Sequence, residues 1–63
     1  MKLGSNVRNL RKQRQLSREA LAIKAGISYA TVSRIETGGD TSQRTIRQLA
    51  SALEVTVTEL LSA

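Results

Sequence analysis

One glycine between two short helical segments constrains this 63-residue chain more than any other feature of its sequence. The segment before Gly26, LSREALAIKA, and the segment after it, SYATVSRIE, both place apolar residues at the spacing of one helix face. Glycine adopts positive φ at little cost and often ends a helix. The pattern therefore predicts two helices of about two turns each, joined by a tight turn at Gly26.

The rest of the chain predicts three more helices and no strand, so an all-α fold is expected. The predicted N-caps, in chain order, are Ser5, Ser17, Ser28, Thr41 or Ser42, and Thr56. Helix one is expected to end at about Gln15, and Glu59 to form a capping box with Thr56. A chain this short makes one domain, so residues 1–63 are predicted to form a compact five-helix bundle whose glycine-turn motif spans about 17–37.

Basic residues are concentrated in the first part of the chain. Residues 1–35 hold eight Lys or Arg and one Glu, whereas residues 36–63 hold two Arg and four acidic residues, for a net charge of +5. This charge favours an anionic partner, either nucleic acid or a membrane surface. A membrane is disfavoured, because the apolar stripe of the first helix is only Val7 and Leu10 and no apolar run approaches the roughly 20 residues of a membrane span.

The residue types that most enzyme chemistry needs are missing from the sequence. There is no His, no Cys and a single Asp, and no Ser is paired with a base. The sequence therefore predicts no enzyme, no metal site and no cofactor. The N-terminus lacks the apolar centre of a signal peptide, and the absence of Cys fits a cytoplasmic location.

The stretch LSREALAIKAGISYATVSRIETG resembles the DNA-binding domain of phage repressor and Cro proteins and of related bacterial regulators. The family pattern has a small residue in the first motif helix, a glycine in the turn and two aliphatic residues in the second motif helix. A glutamate and a glycine follow at the end of that helix. These positions are occupied by Ala22, Gly26, Val32, Ile35, Glu36 and Gly38. The resemblance, which extends from about Val7 to Leu61, implies a lambda-repressor-like domain that binds specific double-stranded DNA. It further implies repression at a pseudo-palindromic operator by a weak homodimer that is formed or strengthened on DNA. A protein that binds DNA is also expected to associate with the nucleoid.

Two positions depart from the family pattern. The loop after the third helix, GGDTSQR, contains Asp40 and no proline, which predicts a weaker grip on phosphate there. The first motif helix opens with Arg18, where relatives often have glutamine, and a guanidinium favours phosphate through its charge.

The resemblance also assigns residues to the DNA and to a second protomer. The base contacts it implies are Ser28, Tyr29, Ala30, Ser33 and Arg34. The phosphate contacts are Ser17, Arg18 and Arg44. The dimer contacts are Val57, Thr58 and Leu61, in or near the fifth helix.

Arg11 is predicted to form a structural ion pair with Glu36. The Arg11 stem shares a helix face with Val7 and Leu10, so it should be partly buried, and a buried guanidinium needs a partner. Glu36 is expected on the inner side of the third helix, and relatives pair these two positions. Such a pair would lock helix one to the third helix.

A protein-interaction module is the alternative function, because the same fold serves in antitoxins and co-activators. The placement of basic residues distinguishes the two functions: Arg18, Arg34 and Arg44 all fall on the expected motif face, which favours DNA. Repression is the expected regulatory outcome, and activation is left open as the alternative. The chain is expected to be either a small autonomous regulator or the N-terminal part of a longer one.

Overall fold

The computed structural model describes residues 3–62, and five α-helices occupy most of that range. They are α1 (Leu3–Gln13), α2 (Arg18–Ala25), α3 (Tyr29–Glu36), α4 (Gln43–Leu53) and α5 (Val57–Leu61). No strand occurs between residues 3 and 62, and the predicted all-α, five-helix architecture is confirmed. The predicted domain limits, residues 1 and 63, lie outside the described residues. None of the helices described is long and apolar enough to cross a membrane.

Side-chain hydroxyls cap four of the helices. Ser17, Ser28 and Ser42 each accept a hydrogen bond from the backbone N–H three residues on, at 3.0, 3.1 and 3.2 Å. Thr56 and Glu59 form the predicted capping box, in which each backbone N–H donates to the side-chain oxygen of the other residue. A cap of this kind contributes about 1 kcal/mol. The predicted starts of α2, α3, α4 and α5 are confirmed.

The first helix begins earlier than the sequence pattern predicts. The assignment of Ser5 as its N-cap is wrong, because Ser5 is exposed and lies within the first turn of α1. Leu3, two residues upstream, is buried in the hydrophobic core. Packing of an apolar side chain stabilises helical backbone more than a cap does, so the burial of Leu3 extends α1 toward the N-terminus.

The first helix also ends earlier than predicted. Gln15 is outside the helix, because its backbone adopts the left-handed conformation with φ 56°. The N–H groups of Gln15 and Leu16 donate to the carbonyls of Lys12 and Arg11, both at 3.0 Å, which is the Schellman pattern of helix termination. The sequence does not predict this helix end, because the residue with positive φ at a helix C-terminus is usually glycine rather than glutamine.

Twelve apolar residues contributed by all five helices form one buried core among the described residues. They are Leu3, Val7, Leu21, Ala22, Ala25, Val32, Ile35, Leu49, Ala50, Ala52, Leu53 and Leu60. Gly4 lies where α1 meets the end of α3, and a Cβ at this position would collide with the Ile35 carbonyl oxygen. The bare backbone of Gly4 therefore lets α1 pack closely against one side of α3.

Asn6 connects α1 to the end of α5. Its Nδ2 atom donates to the Leu60 carbonyl at 2.8 Å and also to the Ser62 carbonyl. The last carbonyls of a helix have no partner within the helix, and Asn6 supplies one. Because α5 has only five residues, its position depends on this capping and on the complete burial of Leu60.

Candidate nucleic-acid interface

The turn between α2 and α3 sets the direction of α3. Gly26 has φ 72° and ψ 32°, the left-handed conformation predicted for it. The Gly26 and Ile27 N–H groups donate to the Ile23 and Ala22 carbonyls at 3.2 and 3.0 Å, which closes the last turn of α2. The chain then enters α3 at the Ser28 cap, so α2, turn and α3 form a continuous helix-turn-helix.

Helix α3 has one completely buried side and one exposed side. Val32 and Ile35 form the buried side. The residues predicted to contact bases lie on the exposed side or at its N-terminal cap: Ser28, Tyr29, Ala30, Ser33 and Arg34. Four of them are exposed and Ser33 is half-buried, while Tyr29 exposes 48% of its surface. The fold thus brings Tyr29, Ala30, Ser33 and Arg34 together on one face, with Ser28 exposed at the cap of the helix.

Ser28 differs from the other four because its hydroxyl already has partners within the protein. Its Oγ accepts the Thr31 N–H at 3.1 Å and shares a hydrogen bond with the Thr31 hydroxyl at 2.8 Å. The side chain thereby fixes the first turn of α3. A base contact by this hydroxyl would compete with its capping role.

Thr37 extends the exposed side of α3, although the sequence analysis did not single it out. It is exposed and lies one turn beyond Ser33. Its hydroxyl donates to the Ser33 and Arg34 carbonyls, both at 3.0 Å. The spacing of four residues from Ser33 is the signal that would have placed Thr37 on this face.

Glu36, at the end of α3, binds two arginines from the neighbouring helices. Its side chain is fully shielded from solvent. Arg11 Nε donates to Glu36 Oε2 at 2.7 Å, and Arg11 Nη2 donates to Glu36 Oε1 at 3.2 Å. Arg18 Nε donates to Glu36 Oε1 at 3.1 Å. The Glu36 carboxylate therefore joins α1, α2 and α3 at one point.

These hydrogen bonds shift the pKa values of Glu36 and Arg18. Burial alone would raise the pKa of Glu36, but the hydrogen bonds from Arg11 and Arg18 outweigh it and lower that pKa. The hydrogen bond to Glu36 raises the pKa of Arg18, with a further contribution from the Tyr29 hydroxyl. Both groups are thus held in their charged forms where α1 and α2 meet the end of α3.

Arg18 has a second partner that the sequence analysis did not predict. The sequence predicts only a contact from Arg18 to a DNA phosphate, whereas in the structure Arg18 Nε donates a hydrogen bond to Glu36. About a third of its side chain stays exposed at the start of α2. The pairing uses one of the five N–H donors of the guanidinium, which leaves donors for an outside anion.

The other residues predicted to contact phosphate are exposed, as is Arg34, which is predicted to contact a base. Ser17 caps α2 through its hydroxyl, and Arg44 lies in the first turn of α4. Within residues 3–62, the guanidinium groups of Arg34 and Arg44 form no hydrogen bond or ion pair with another side chain or carbonyl. Such arginines are available to bind an anionic or acceptor-rich partner.

Helices α4 and α5 leave an apolar groove on the surface. It has a volume of ≈ 340 Å³ and is lined by Gln43, Ile46, Arg47, Val57 and Leu61. Of the predicted dimer contacts, Val57 and Leu61 line this groove, and Thr58 is exposed on the same helix. Leu61 exposes 43% of its surface, so part of this side chain is accessible beside the groove.

Comparison with protein families gives a match to the helix-turn-helix family model over residues 7–60. Two curated relatives come from Bacillus subtilis (strain 168). The uncharacterised HTH-type transcriptional regulator RghRB is 42% identical over 62 residues, covering 95% of this chain and 45% of RghRB. The HTH-type transcriptional repressor RghR is 43% identical over 54 residues, covering 82% of this chain and 40% of RghR. The chain thus spans less than half the length of these relatives.

A solved structure is similar over nearly the whole chain. It is the restriction-modification controller protein C.AhdI from Aeromonas hydrophila, which matches with a TM-score of 0.91 at 36% sequence identity. The match covers 95% of this chain and 92% of that protein. The similarity therefore includes α1 and α5 as well as the central motif.

Proposed function

The chain belongs to the helix-turn-helix family of Cro/C1-type transcriptional regulators, and on that basis we propose that it is a sequence-specific repressor that binds a pseudo-palindromic operator as a dimer. Members of this family are DNA-binding regulators rather than enzymes. The observation that carries the proposal is the exposed side of α3, where Arg34 is unpaired among the described residues.

Base recognition is assigned to α3. The major groove of B-DNA is about 12 Å wide and accepts one α-helix, and helix-turn-helix proteins touch bases with the N-terminal part of their second motif helix. Arg34 suits a bidentate contact to the O6 and N7 atoms of guanine, and Ala30 suits a thymine methyl group. Tyr29 packs on a methyl group or reaches a phosphate. Ser28 and Ser33 supply hydroxyls at the edges of this face.

Phosphate contacts are assigned to two helix starts. The N-terminus of α2 offers backbone N–H groups after Ser17, and the free nitrogens of Arg18 lie beside them. Arg44 is exposed in the first turn of α4, where the positive end of the helix dipole adds to its charge. These contacts position the protein on DNA, whereas the bases supply the sequence information.

Dimerisation is assigned to α5 and the groove beside it. The half-exposed Leu61 and the apolar lining of the groove support burial against a second copy of the chain, with Val57 and Thr58 in the contact. Two protomers related by a twofold axis would read half-sites roughly 34 Å apart, which accounts for a pseudo-palindromic operator. The patch is small, so we infer a weak homodimer that DNA strengthens.

Repression is the regulatory outcome that the named relative supports, because RghR is described as a transcriptional repressor. A repressor that acts by occupying its operator needs only to bind DNA. The described helices hold the residues assigned to that binding. Binding to chromosomal DNA places the protein in the cytoplasm, with the nucleoid. No cofactor or metal takes part in the proposed recognition.

Selection from a random duplex library at one stated salt concentration tests the proposal. Enrichment of a pseudo-palindrome with half-sites about ten base pairs apart is the expected result. Binding without enrichment, fading steeply as salt rises, would contradict sequence-specific recognition. No DNA binding would instead favour a protein-interaction module of the same fold.

A further inference from the structure

We propose that Gly39, in the loop after α3, is a positioning residue for sequence recognition. Because Gly39 has no side chain, it leaves the space in which the Arg34 stem lies, and this directs the Arg34 guanidinium toward a base. The inference rests on the proposed function, since it concerns the guanidinium assigned there to guanine. Gly39 does not itself contact DNA in this account. It acts through the stem of Arg34.

The two residues are in close contact. The Gly39 N–H donates to the Arg34 carbonyl at 2.8 Å, which brings the loop back over the last turn of α3. A Cβ built on Gly39 would lie 2.5 Å from Arg34 Cγ and 3.2 Å from Arg34 Cδ. It would also lie 2.9 Å from the Arg34 carbonyl oxygen. The aliphatic stem of Arg34 therefore lies directly against the bare backbone of Gly39.

Backbone conformation does not explain why glycine occupies this position. Gly26 and Gly38 are the glycines with positive φ among the described residues, and Gly39 is not one of them. Gly38 is the opposite case, because its φ is 101° and a Cβ there would meet nothing within 4 Å. Gly38 is thus needed for its backbone conformation, whereas Gly39 is needed for the space that Arg34 occupies.

Loss of that space would redirect the guanidinium. The position of Arg34 Cγ is set by χ1, which occupies one of three staggered wells. A methyl group on Gly39 would exclude the present well, and rotation to another would carry the end of this long side chain several ångströms away. Bidentate recognition tolerates only about 0.5 Å of displacement. A change at Gly39 should therefore weaken recognition of one base pair rather than binding in general.

The DNA experiment compares Gly39→Ala, Arg34→Ala and the double variant with the wild-type protein, with Gly38→Ala as the control. Each is run through the same duplex selection, followed by competition between the selected operator and an operator changed at the Arg34-dependent base pair. We expect Gly39→Ala to lose roughly tenfold in discrimination at the position where Arg34→Ala loses it. Affinity for unrelated DNA should be unchanged, and the double variant should resemble Arg34→Ala. Gly38→Ala should lower the melting temperature and keep the base preference.

A second measurement does not need DNA. Melting temperatures of the same variants show whether the Gly39 methyl group meets the Arg34 stem. Gly39→Ala should lower the melting temperature less in the Arg34→Ala background, because Cγ and Cδ are then absent. An equal loss in both backgrounds would mean that the methyl group meets backbone alone and would overturn the inference.

The outcomes separate this inference from the proposed function. A wild-type protein that enriches no motif overturns the proposed function and this inference with it. A wild-type motif that depends on Arg34, together with unchanged discrimination in Gly39→Ala, overturns the role of Gly39 alone.

Discussion

Arg11 and Glu36 are joined across α1 and α3 by two hydrogen bonds, from Arg11 Nε to Glu36 Oε2 at 2.7 Å and from Arg11 Nη2 to Glu36 Oε1 at 3.2 Å. Arg11 Nη1 also donates to the Leu16 carbonyl at 2.8 Å, so three of its nitrogens are held. Charged groups shielded from solvent need such pairing. The position of α3, and with it the exposed face assigned to DNA, is therefore coupled to the packing of α1.

Replacing Arg11 by Met is expected to destabilise the protein. Removing one partner of a buried ion pair costs about 3–5 kcal/mol. Because Arg18 keeps its hydrogen bond to Glu36, we expect a smaller loss of about 2 kcal/mol in the free energy of unfolding. Urea denaturation measures this loss. Arg8→Met is the matched control, since Arg8 is exposed on the same helix, and an Arg11→Met protein as stable as the control would contradict the structural role.

Stability is expected to fall as the solution becomes acidic. Burial opposes ionisation of Glu36, but hydrogen bonds from Arg11 and Arg18 bring its pKa in the folded protein below the ordinary value. A carboxyl group with a lowered folded pKa stabilises the fold above its unfolded pKa of about 4.3, and this contribution is lost as the pH falls through the folded pKa.

Urea denaturation of the wild-type protein and of Glu36→Gln, from about pH 6 to about pH 3, measures this dependence. Glu36→Gln should be less stable near neutral pH and should depend less on pH. Glu59→Gln is a useful comparison, because hydrogen bonds from the Thr56 backbone and hydroxyl lower the pKa of this exposed carboxyl group too. Equal pH dependence in Glu36→Gln and the wild-type protein would rule out Glu36 as its source.

Replacing Arg34 by Ala is expected to remove one base preference. Arg34 is exposed and unpaired among the described residues, so its loss should leave the fold intact. We expect a loss of about 1–3 kcal/mol in binding to the selected operator and a relaxed preference at one position of each half-site. Repeating the library selection with the variant measures both. An unchanged sequence preference would remove Arg34 from the set of base-reading residues.

Replacing Arg18 by Ala is expected to weaken binding to all DNA sequences about equally. Loss of one phosphate contact should reduce the slope of affinity against salt concentration by about 1. Arg18→Lys is the matched control, because it keeps the charge but loses the Nε donor that bonds Glu36. The lysine variant should keep the salt slope of the wild-type protein. If Arg18→Ala altered a single base preference instead, Arg18 would be a base contact rather than a phosphate contact.

Replacing Thr58 by Arg is expected to weaken dimerisation. Two-fold symmetry would bring the new charge on each protomer close to the same charge on its partner, on the exposed surface of α5 assigned to the dimer contact. Sedimentation analysis with operator duplexes of one and two half-sites measures the stoichiometry. The Ser5→Arg variant is the control, because it adds the same charge at an exposed position of α1, outside the predicted dimer contacts on α5. Unchanged cooperativity in Thr58→Arg would place the dimer contact elsewhere.

Much of the fold follows from interactions between residues that are close in the chain. The Ser17 and Ser28 caps, the turn at Gly26 and the capping box of Thr56 with Glu59 each involve atoms within a few residues of one another. Their residue types therefore suffice to predict them. The same is true of the exposed side of α3, because the helical repeat places its residues opposite the buried ones.

Other features depend on residues that are distant in the chain. The early start of α1 depends on the burial of Leu3 against other helices, and no local signal near Ser5 indicates it. The hydrogen bond from Arg18 to Glu36 joins residues 18 positions apart, so its existence depends on how α2 and α3 pack. The hydrogen-bonding capacity of a residue type is known in advance, but the partner it finds is not.

Sequence alone thus determined the number of helices, the starts of α2 to α5 and the central motif, because periodicity, caps and the turn glycine act locally. Tertiary structure alone decided that Arg18 also binds the Glu36 carboxylate and which backbone lies against the Arg34 stem. Both outcomes are set by distances of a few ångströms between separate segments. Those distances exist only after the hydrophobic core has packed the helices together.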